Sequence, residues 1–356
     1  MTPSPTRFGR SAYTVFGGIG YGASVAIATS LAVVWELTLG ERLVVMLAPP
    51  LAFIAITTVA TALKGREWIV FYQTAAGAIA STWIAGRAIG ANLPRLADVV
   101  VIGIGTFLVF GRIGCFHVGC CHGRPARFGV RYDQRHVARG LWSTFANRPL
   151  WPVQLFEAGA TALITAGSLL AAAEPGRAAY VFAVSYGMVR FCLELGRGDP
   201  VRPFAIGISE AQWWCLASAI LCAIAHPSWW TVAAPLLIAA ATFAVATTRR
   251  RRELAEPSHA HELETLCAEV RADPFHTRRE TTLGLAVSCH VLPDNRLDWI
   301  LSSAHPAWSL EMAKRLSGLL WPLAAIVPGR TGSVVHIIDH ASAPRNPPNW
   351  PDNAAH

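Results

Sequence analysis

The residue types best suited to chemistry are concentrated in one glycine-rich run near the middle of the chain. Residues 110–124 read Phe-Gly-Arg-Ile-Gly-Cys-Phe-His-Val-Gly-Cys-Cys-His-Gly-Arg, and they follow an apolar segment. The run brings a guanidinium at Arg112, three thiols and two imidazoles to one end of a membrane helix. A buried arginine is costly there without a partner, so we expect a site that receives an anion, with a structural ion pair as the alternative.

Polar residues follow in or beside three later apolar segments: Gln154 with Glu157, Arg190 with Glu194 and Arg197, and Glu210 with Gln212. The first two groups have helical spacing. Residues three or four apart share one helix face. Each group alone is explained by helix packing or by a neutralising pair. Four such groups in four helices predict a polar cavity with several cations, if these helix ends meet on one side of a bundle.

The elements that must position these residues are membrane helices. The chain has 356 residues, of which 53% are hydrophobic and 15% charged, and its mean hydropathy is +0.38. These values are too apolar for an ordinary water-soluble domain. Runs long enough to cross a bilayer lie at Tyr13–Val34, Leu43–Leu63, Trp68–Gly86, Val99–Val118, Trp151–Ala172, Ala178–Leu195, Ile206–Ala225 and Trp229–Thr248. The sequence therefore predicts an all-α, polytopic transmembrane helical bundle of about seven or eight spans.

The two ends of the chain differ in character. The first apolar run has no small-residue cleavage site after it, so we expect a retained helix and not a signal peptide. Four arginines at 249–252 mark a boundary, which predicts a transmembrane domain over 1–250 and a small soluble C-terminal region over 257–356. In that region we expect a helix at Trp308–Leu320, a strand at Ser333–Asp339 and a disordered proline-rich end.

The formal net charge of +8 is spread over the loops between the apolar runs. Attraction to anionic lipid headgroups explains this distribution better than binding to nucleic acid does. We therefore expect membrane lipid as a partner and no nucleic acid.

The four polar groups resemble, in order and approximate spacing, the signature elements of the prolipoprotein diacylglyceryl transferases. The glycine-arginine signature is matched at Gly111, Arg112, Gly114, Phe116, Gly123 and Arg124, and three downstream elements at Pro152 to Glu157, at Arg190, Phe191, Glu194 and Arg197, and at Ala211-Gln212. The resemblance covers roughly residues 70–215.

This resemblance implies transfer of the diacylglyceryl group of phosphatidylglycerol to the cysteine thiol of a lipoprotein precursor, in the bacterial inner membrane and without a cofactor or metal. By the same resemblance the catalytic residues are Arg112, Arg190, Tyr72, Glu194 and Arg197. The implied substrate-binding residues are Gly111, Gly114, Cys115, Cys120, Gly123, Arg124, Gln154, Glu157 and Gln212.

The chain also departs from the family's pattern. Cys115 and Cys120 replace a signature asparagine and the signature acid, Val118 replaces a second asparagine, and Tyr72 stands where the family has a histidine. A base must help the acceptor thiol to become a thiolate. A phenol is a poor neutral base, so His117 or His122 is an alternative to Tyr72 for this role.

Two other functions fit the same residues. The donors at Cys115, His117, Cys120, Cys121 and His122 are those of a soft-metal or redox site. A lipid-binding relative that is non-catalytic, or that acts on another acceptor, would also tolerate the altered signature.

The charge bias leaves the orientation open. Most loop arginines fall on the side of the signature run, and the positive-inside rule places that side in the cytoplasm. The family resemblance implies the outer side of the inner membrane instead.

Overall fold

The computed structural model describes residues 3–65, 70–200, 204–250, 253–272, 278–330 and 333–339. Helices occupy all eight predicted apolar runs, and a further short helix, α5 Gln134–Val137, lies outside them. The eight are α1 Ala12–Val34, α2 Leu39–Lys64, α3 Phe71–Ala88, α4 Leu93–Val118, α6 Val153–Leu170, α7 Arg177–Gly196, α8 Glu210–Ala225 and α9 Trp229–Arg250. Within the described residues six of them, α1, α2, α4, α6, α7 and α9, are long and apolar enough to cross a membrane. The protein is therefore a multi-pass membrane protein, and the predicted polytopic bundle is confirmed.

Local signals set the helix ends. Thr38 and Glu41 form a capping box that starts α2, and Ser209 with Gln212 forms one that starts α8. Such caps satisfy the first backbone N–H groups of a helix. The helix α8 therefore begins four residues later than the apolar run does. Helix α4 ends at Gly119, whose left-handed φ of +89° suits glycine.

Helix α4 is the centre of the bundle and packs against α1, α3, α6 and α7. Its buried Asp98 accepts hydrogen bonds from the backbone N–H groups of Gly176, at 2.8 Å, and Ala179, at 2.9 Å. This carboxylate caps the start of α7. Because α4 is central, its last residues lie among the ends of the neighbouring helices.

Short antiparallel strand pairs lie before α1, between α4 and α6, and between α7 and α8. They are β1 Thr6–Arg7 with β2 Arg10–Ser11, β3 Pro125–Arg131 with β4 Pro149–Leu150, and β5 Phe204–Ala205 with β6 Ile208–Ser209. The segment between β3 and β4 contains α5 and a 3₁₀ turn at Ser143–Phe145. We call residues 125–150 the signature loop.

The C-terminal region forms an α/β unit after a 3₁₀ turn at Glu253–Ala255. Its elements are α10 Pro257–Ala272, β7 Arg279–Glu280, β8 Leu285–Val291, β9 Leu297–Ser303, α11 Leu310–Leu320, β10 Ala325–Pro328 and β11 Val334–Asp339. The antiparallel sheet has the order β10-β11-β9-β8-β7. The predicted helix and strand are found as α11 and β11, but the sequence did not predict the other strands. Residues 340–356, expected to be disordered, lie outside the described residues.

The C-terminal unit and the signature loop share one hydrophobic core. Trp142, Phe145 and Leu150 from the loop are buried together with Leu263 and Leu316.

A largely buried carboxylate on α10 stabilises this contact. Glu264 accepts a hydrogen bond from the Thr144 hydroxyl at 2.8 Å and another from the indole N–H of Trp142. Burial acts to raise the pKa of Glu264, but its contact with His261, at 3.8 Å, and the hydrogen bonds from Trp142 and Thr144 outweigh it and lower that pKa. The loop that follows the signature run is thus held by the C-terminal unit.

Candidate functional site

Backbone hydrogen bonds join the end of α4 to the start of α6 and the end of α7. They run from Gly123 N to Trp151 O at 2.9 Å, from Trp151 N to Arg124 O at 3.1 Å, from Arg124 N to Gly196 O at 2.9 Å and from Gly198 N to His122 O at 3.0 Å. Three helix ends that carry polar motifs are therefore fixed side by side.

Close backbone approach explains two glycines in this junction. A Cβ on Gly123 would lie 2.5 Å from both the carbonyl oxygen and the Cβ of Trp151. A Cβ on Gly198 would lie 2.6 Å from the carbonyl oxygen of Gly123. Of the other signature glycines, Gly114 packs against α1, whereas a Cβ on Gly111 would meet no described atom within 4 Å.

Inside this junction the arginines and carboxylates of the four motifs form one buried chain of ion pairs, which we call the ion-pair ladder. Its N···O contacts are Arg112–Glu157 at 3.0 Å, Arg190–Glu157 at 3.4 Å, Arg190–Glu194 at 2.6 Å, Arg197–Glu194 at 3.5 Å and Arg197–Asp199 at 2.7 Å. All three sequence-predicted arginines are therefore brought together, and carboxylates from three segments connect them.

The ladder is nearly inaccessible to solvent, and it contains a buried donor, the Nε of Arg112, that takes part in none of its ion-pair contacts. The Tyr186 hydroxyl donates to Glu157 Oε1 at 2.8 Å. None of the described residues accepts a hydrogen bond from the buried Nε of Arg112. A buried donor in a native protein normally faces an acceptor, so this one marks a place for an anion or a water molecule.

Three thiols lie together beside Arg112. The Sγ atoms of Cys115, Cys120 and Cys121 are all within 4.8 Å of one another, and all eight cysteines of the chain are free. Gly119, at φ +89°, and Cys121, at φ +53°, reverse the chain so that its thiols return to Cys115. Hydrogen bonds from Cys115 and Cys120, together with the charges of Arg197 and Arg112, lower the pKa of Cys121.

The two imidazoles of the signature run have different surroundings. His122 is buried with its Nδ1 2.9 Å from the carbonyl oxygen of Gly123, within electrostatic range of Asp199 and Cys121, and burial lowers its pKa. His117 accepts a hydrogen bond from the backbone of Ser4 at 3.3 Å and stacks on a phenyl ring of α1. Among the described residues, the predicted cysteine and histidine donor set thus shrinks to the three thiols.

Tyr72 lies beside the ladder. Its hydroxyl is 3.7 Å from the Sγ of Cys215, and its ring stacks on Trp214 with 6.2 Å between centroids. Arg190 and Glu157 are within electrostatic range.

Three of the predicted binding residues have structural contacts. Gln154 donates to the carbonyl oxygen of Cys120 at 2.7 Å, and Gln212 accepts from the backbone of Ser209 as a helix cap at 3.1 Å. The guanidinium of Arg124 points to Glu256 in the linker to the C-terminal unit, with N···O distances of 2.9 and 3.2 Å.

Sequence reasoning missed several residues of the site. Tyr186 is four residues before Arg190 on one helix face, and Asp199 is two residues after Arg197, so helical spacing and adjacency could have found them. Tyr132, which approaches the Nε2 of Gln154 at 3.4 Å, comes from the signature loop, and no local pattern points to it.

Comparison with known proteins gives a consistent result. The sequence model of the family described as prolipoprotein diacylglyceryl transferase matches residues 21–227, more than half of the chain. A phosphatidylglycerol–prolipoprotein diacylglyceryl transferase of Clostridium tetani is 29% identical over 162 residues, which cover 44% of this chain and 62% of that protein.

Two further relatives carry the same name. Transferase 2 of Clostridium perfringens is 32% identical over 31% of this chain and 42% of its own length. The protein of Aromatoleum aromaticum is 29% identical over 39% of this chain and 53% of its own length. The chain therefore spans about half the length of the relatives that it matches.

Proposed function

Because the chain belongs to the prolipoprotein diacylglyceryl transferase family, we propose that it transfers the diacylglyceryl group of phosphatidylglycerol to the cysteine thiol of a lipoprotein precursor. The second product is glycerol phosphate. The proposed location is the bacterial inner membrane, where both the lipid and the precursor peptide are found.

The ion-pair ladder is the observation that carries this proposal. A phosphodiester headgroup is an anion, and transfer places more negative charge on the leaving phosphate oxygen. Guanidinium groups at fixed positions in a site of low dielectric stabilise such charge effectively. The buried Nε of Arg112 supplies a donor, while Glu157 and Glu194 hold the three arginines in place.

The chemistry is a displacement at carbon. The acceptor sulfur attacks the glycerol carbon that carries the phosphate, the C–O bond breaks, and its electron pair stays on the departing phosphate. The thiol must lose its proton because the thiolate is the nucleophile. Tyr72 and His122 are both near the ladder, whereas His117 faces α1.

We propose the same division of the chain as before, a transferase domain over 1–250 and a C-terminal region over 257–356. The α/β unit after Glu253 supports it, and the core shared with the signature loop gives that unit a holding role. Membrane lipid and the precursor peptide are the proposed partners, and no nucleic acid is expected.

The test is transfer of label from radiolabelled phosphatidylglycerol to a peptide that carries the lipoprotein cysteine motif. We expect label with the wild-type protein and a loss of roughly 10² to 10³-fold for Arg112→Ala, as for removal of a charge-stabilising donor. Arg177→Ala, at an exposed pair with Glu174, is the matched control and keeps full activity. Wild-type protein that binds the lipid but labels no peptide would contradict the proposal and favour a non-catalytic lipid-binding role or another acceptor.

A further inference from the structure

The step that ionises the acceptor thiol has no well-suited base among the described residues. Tyr72 is a phenol whose hydroxyl contacts a thiol, and the Nδ1 of His122 is engaged with a backbone carbonyl group. The three thiols beside Arg112 have no part in the mechanism so far. Arg112 of the ladder is within electrostatic range of the thiol of Cys121.

The spacing of the three sulfurs suits a metal ion. Zinc binds thiolate sulfur at about 2.3 Å, so sulfurs around one zinc ion lie roughly 3.8–4.0 Å apart. The sulfurs of Cys115, Cys120 and Cys121 are all within 4.8 Å of one another. This upper limit is compatible with the separation that zinc requires.

The backbone holds the sulfurs in this arrangement at a cost. Cys121 has a φ of +53°, in the left-handed region that L-residues other than asparagine and aspartate rarely adopt. Such a conformation costs on the order of 1–3 kcal/mol and persists where the surroundings enforce it. The turn directs two adjacent cysteines back towards the end of α4.

The donor set has three members and not four. Among the described residues, no further cysteine, histidine or carboxylate joins the group. Structural zinc sites have four protein ligands, whereas catalytic sites have three and leave the fourth position for a water molecule or substrate. The zinc ion itself would neutralise two of the three thiolate charges, and Arg112 and Arg197 are within electrostatic range of Cys121.

We propose that Cys115, Cys120 and Cys121 bind a zinc ion, and that the acceptor cysteine of the precursor occupies its fourth position as a thiolate. This rests on the proposed transferase function. It replaces the metal-free site that the family resemblance implies.

The reaction balances without any change in oxidation state. On binding zinc, the acceptor thiol gives its proton to water, since a thiol that coordinates a cation is deprotonated. The metal-bound sulfur then forms the S–C bond to the glycerol carbon as the C–O bond to phosphate breaks. The electron pair leaves with glycerol phosphate, which the arginines of the ladder stabilise, and zinc is free to bind the next thiol.

Metal content and spectroscopy test the site without reference to activity. Full-length protein in detergent, loaded with zinc and desalted, should retain about one zinc ion per chain. The Cys115→Ser/Cys120→Ser/Cys121→Ser variant should retain none, and Cys192→Ser, at an exposed cysteine, should match the wild type. With Co²⁺ as the probe, the thiolate-to-cobalt band should change when a cysteine peptide is added but not when its serine analogue is added.

Activity separates failure of this inference from failure of the proposed function. Chelation should reduce label transfer roughly 10²-fold or more, as for loss of a thiol-activating base, and added zinc should restore it. Full transfer by the chelated protein or by the triple serine variant would overturn the zinc site and leave the transferase function intact. If an elution profile shows that the triple variant is misfolded, Cys120→Ser alone takes its place.

Discussion

Two ion pairs in different regions of the molecule have the same length. Arg112 and Glu157, in the bundle, are 3.0 Å apart, and so are Arg279 and Glu269, in the C-terminal unit. Their side chains differ in exposure, at 9% and 3% for the first pair and 48% and 50% for the second. Solvent screens the second pair, whereas loss of one partner from the first leaves a buried charge without compensation.

The two pairs also differ in their connections. Glu157 and Glu194 each contact two arginines, so the buried pairs form a continuous network. A network of buried charges is weak evidence for stability, because desolvation offsets the Coulomb attraction. Its retention inside an apolar bundle therefore favours a function for these charges, and surface pairs carry no such implication.

Breaking the middle of the ladder should have the largest effect. Arg190→Ala removes the cation between Glu157 and Glu194, and we expect a loss of about 3–5 kcal/mol in the free energy of unfolding. Label transfer should fall below detection. Thermal unfolding in detergent and the transfer assay measure these two effects.

A double variant separates the two effects. In Arg190→Met/Glu194→Leu a buried pair is replaced by apolar side chains, which should recover much of the stability. Transfer should stay absent, because the phosphate has lost a cation. Recovery of transfer along with stability would show that the ladder is only structural.

Disturbing the backbone junction between the ends of α4, α6 and α7 should have the next largest effect. Gly123→Ala places a methyl group against the backbone of Trp151, and we expect a loss of about 3 kcal/mol from overpacking. Gly111→Ala is the matched control: it meets open space, and it should be neutral or slightly stabilising in a helix. Unfolding curves of the two variants test the contrast. A Gly111→Ala protein of normal stability that binds the lipid poorly would place Gly111 against the substrate.

Glu264 lies between the two extremes, since it is largely buried but accepts hydrogen bonds from neutral groups of the signature loop. Glu264→Gln should cost about 1.5 kcal/mol, the value of a hydrogen bond to a charged group. The pKa of Glu264 is lowered from its ordinary value of 4.5. Its contribution is therefore fully present above that value, and it is lost as the pH falls through the lower pKa of the folded protein. Acid unfolding should show a steeper loss for the wild type than for Glu264→Gln, and equal slopes would contradict this assignment.

The sequence predicted the bundle well because helical membrane spans depend on long apolar runs, which are local features. It also placed α11 and β11 correctly, because their hydrophobic periodicity is a local feature too. The rest of the C-terminal sheet was missed, since β7 is only two residues long and the pairing of the strands is non-local. The core shared with the signature loop joins residues more than a hundred positions apart, and no local pattern encodes it.

The site was predicted in part. Arg112 and Arg190 could be identified because each lies in an apolar segment, where a charge stands out, and Arg197 because it follows Glu194 at helical spacing. The sequence could not show that Arg124 turns towards Glu256, since that contact depends on where the C-terminal unit packs. Nor could the spacing of three cysteines within seven residues show that a left-handed turn at Cys121 brings their sulfurs together.

The smallest effect is expected at the exposed pair of Arg279 and Glu269, which is the surface half of the comparison. Arg279→Ala removes a cation whose partner, Glu269, is half exposed and is solvated when left alone. The free energy of unfolding should change by less than about 0.5 kcal/mol, and transfer should be unaffected. Denaturant unfolding at low and high salt measures it, because screening should remove even this small difference. A loss of stability as large as that of Arg190→Ala would show that the ion-pair distance, and not burial, determines how much these contacts contribute to the free energy of unfolding.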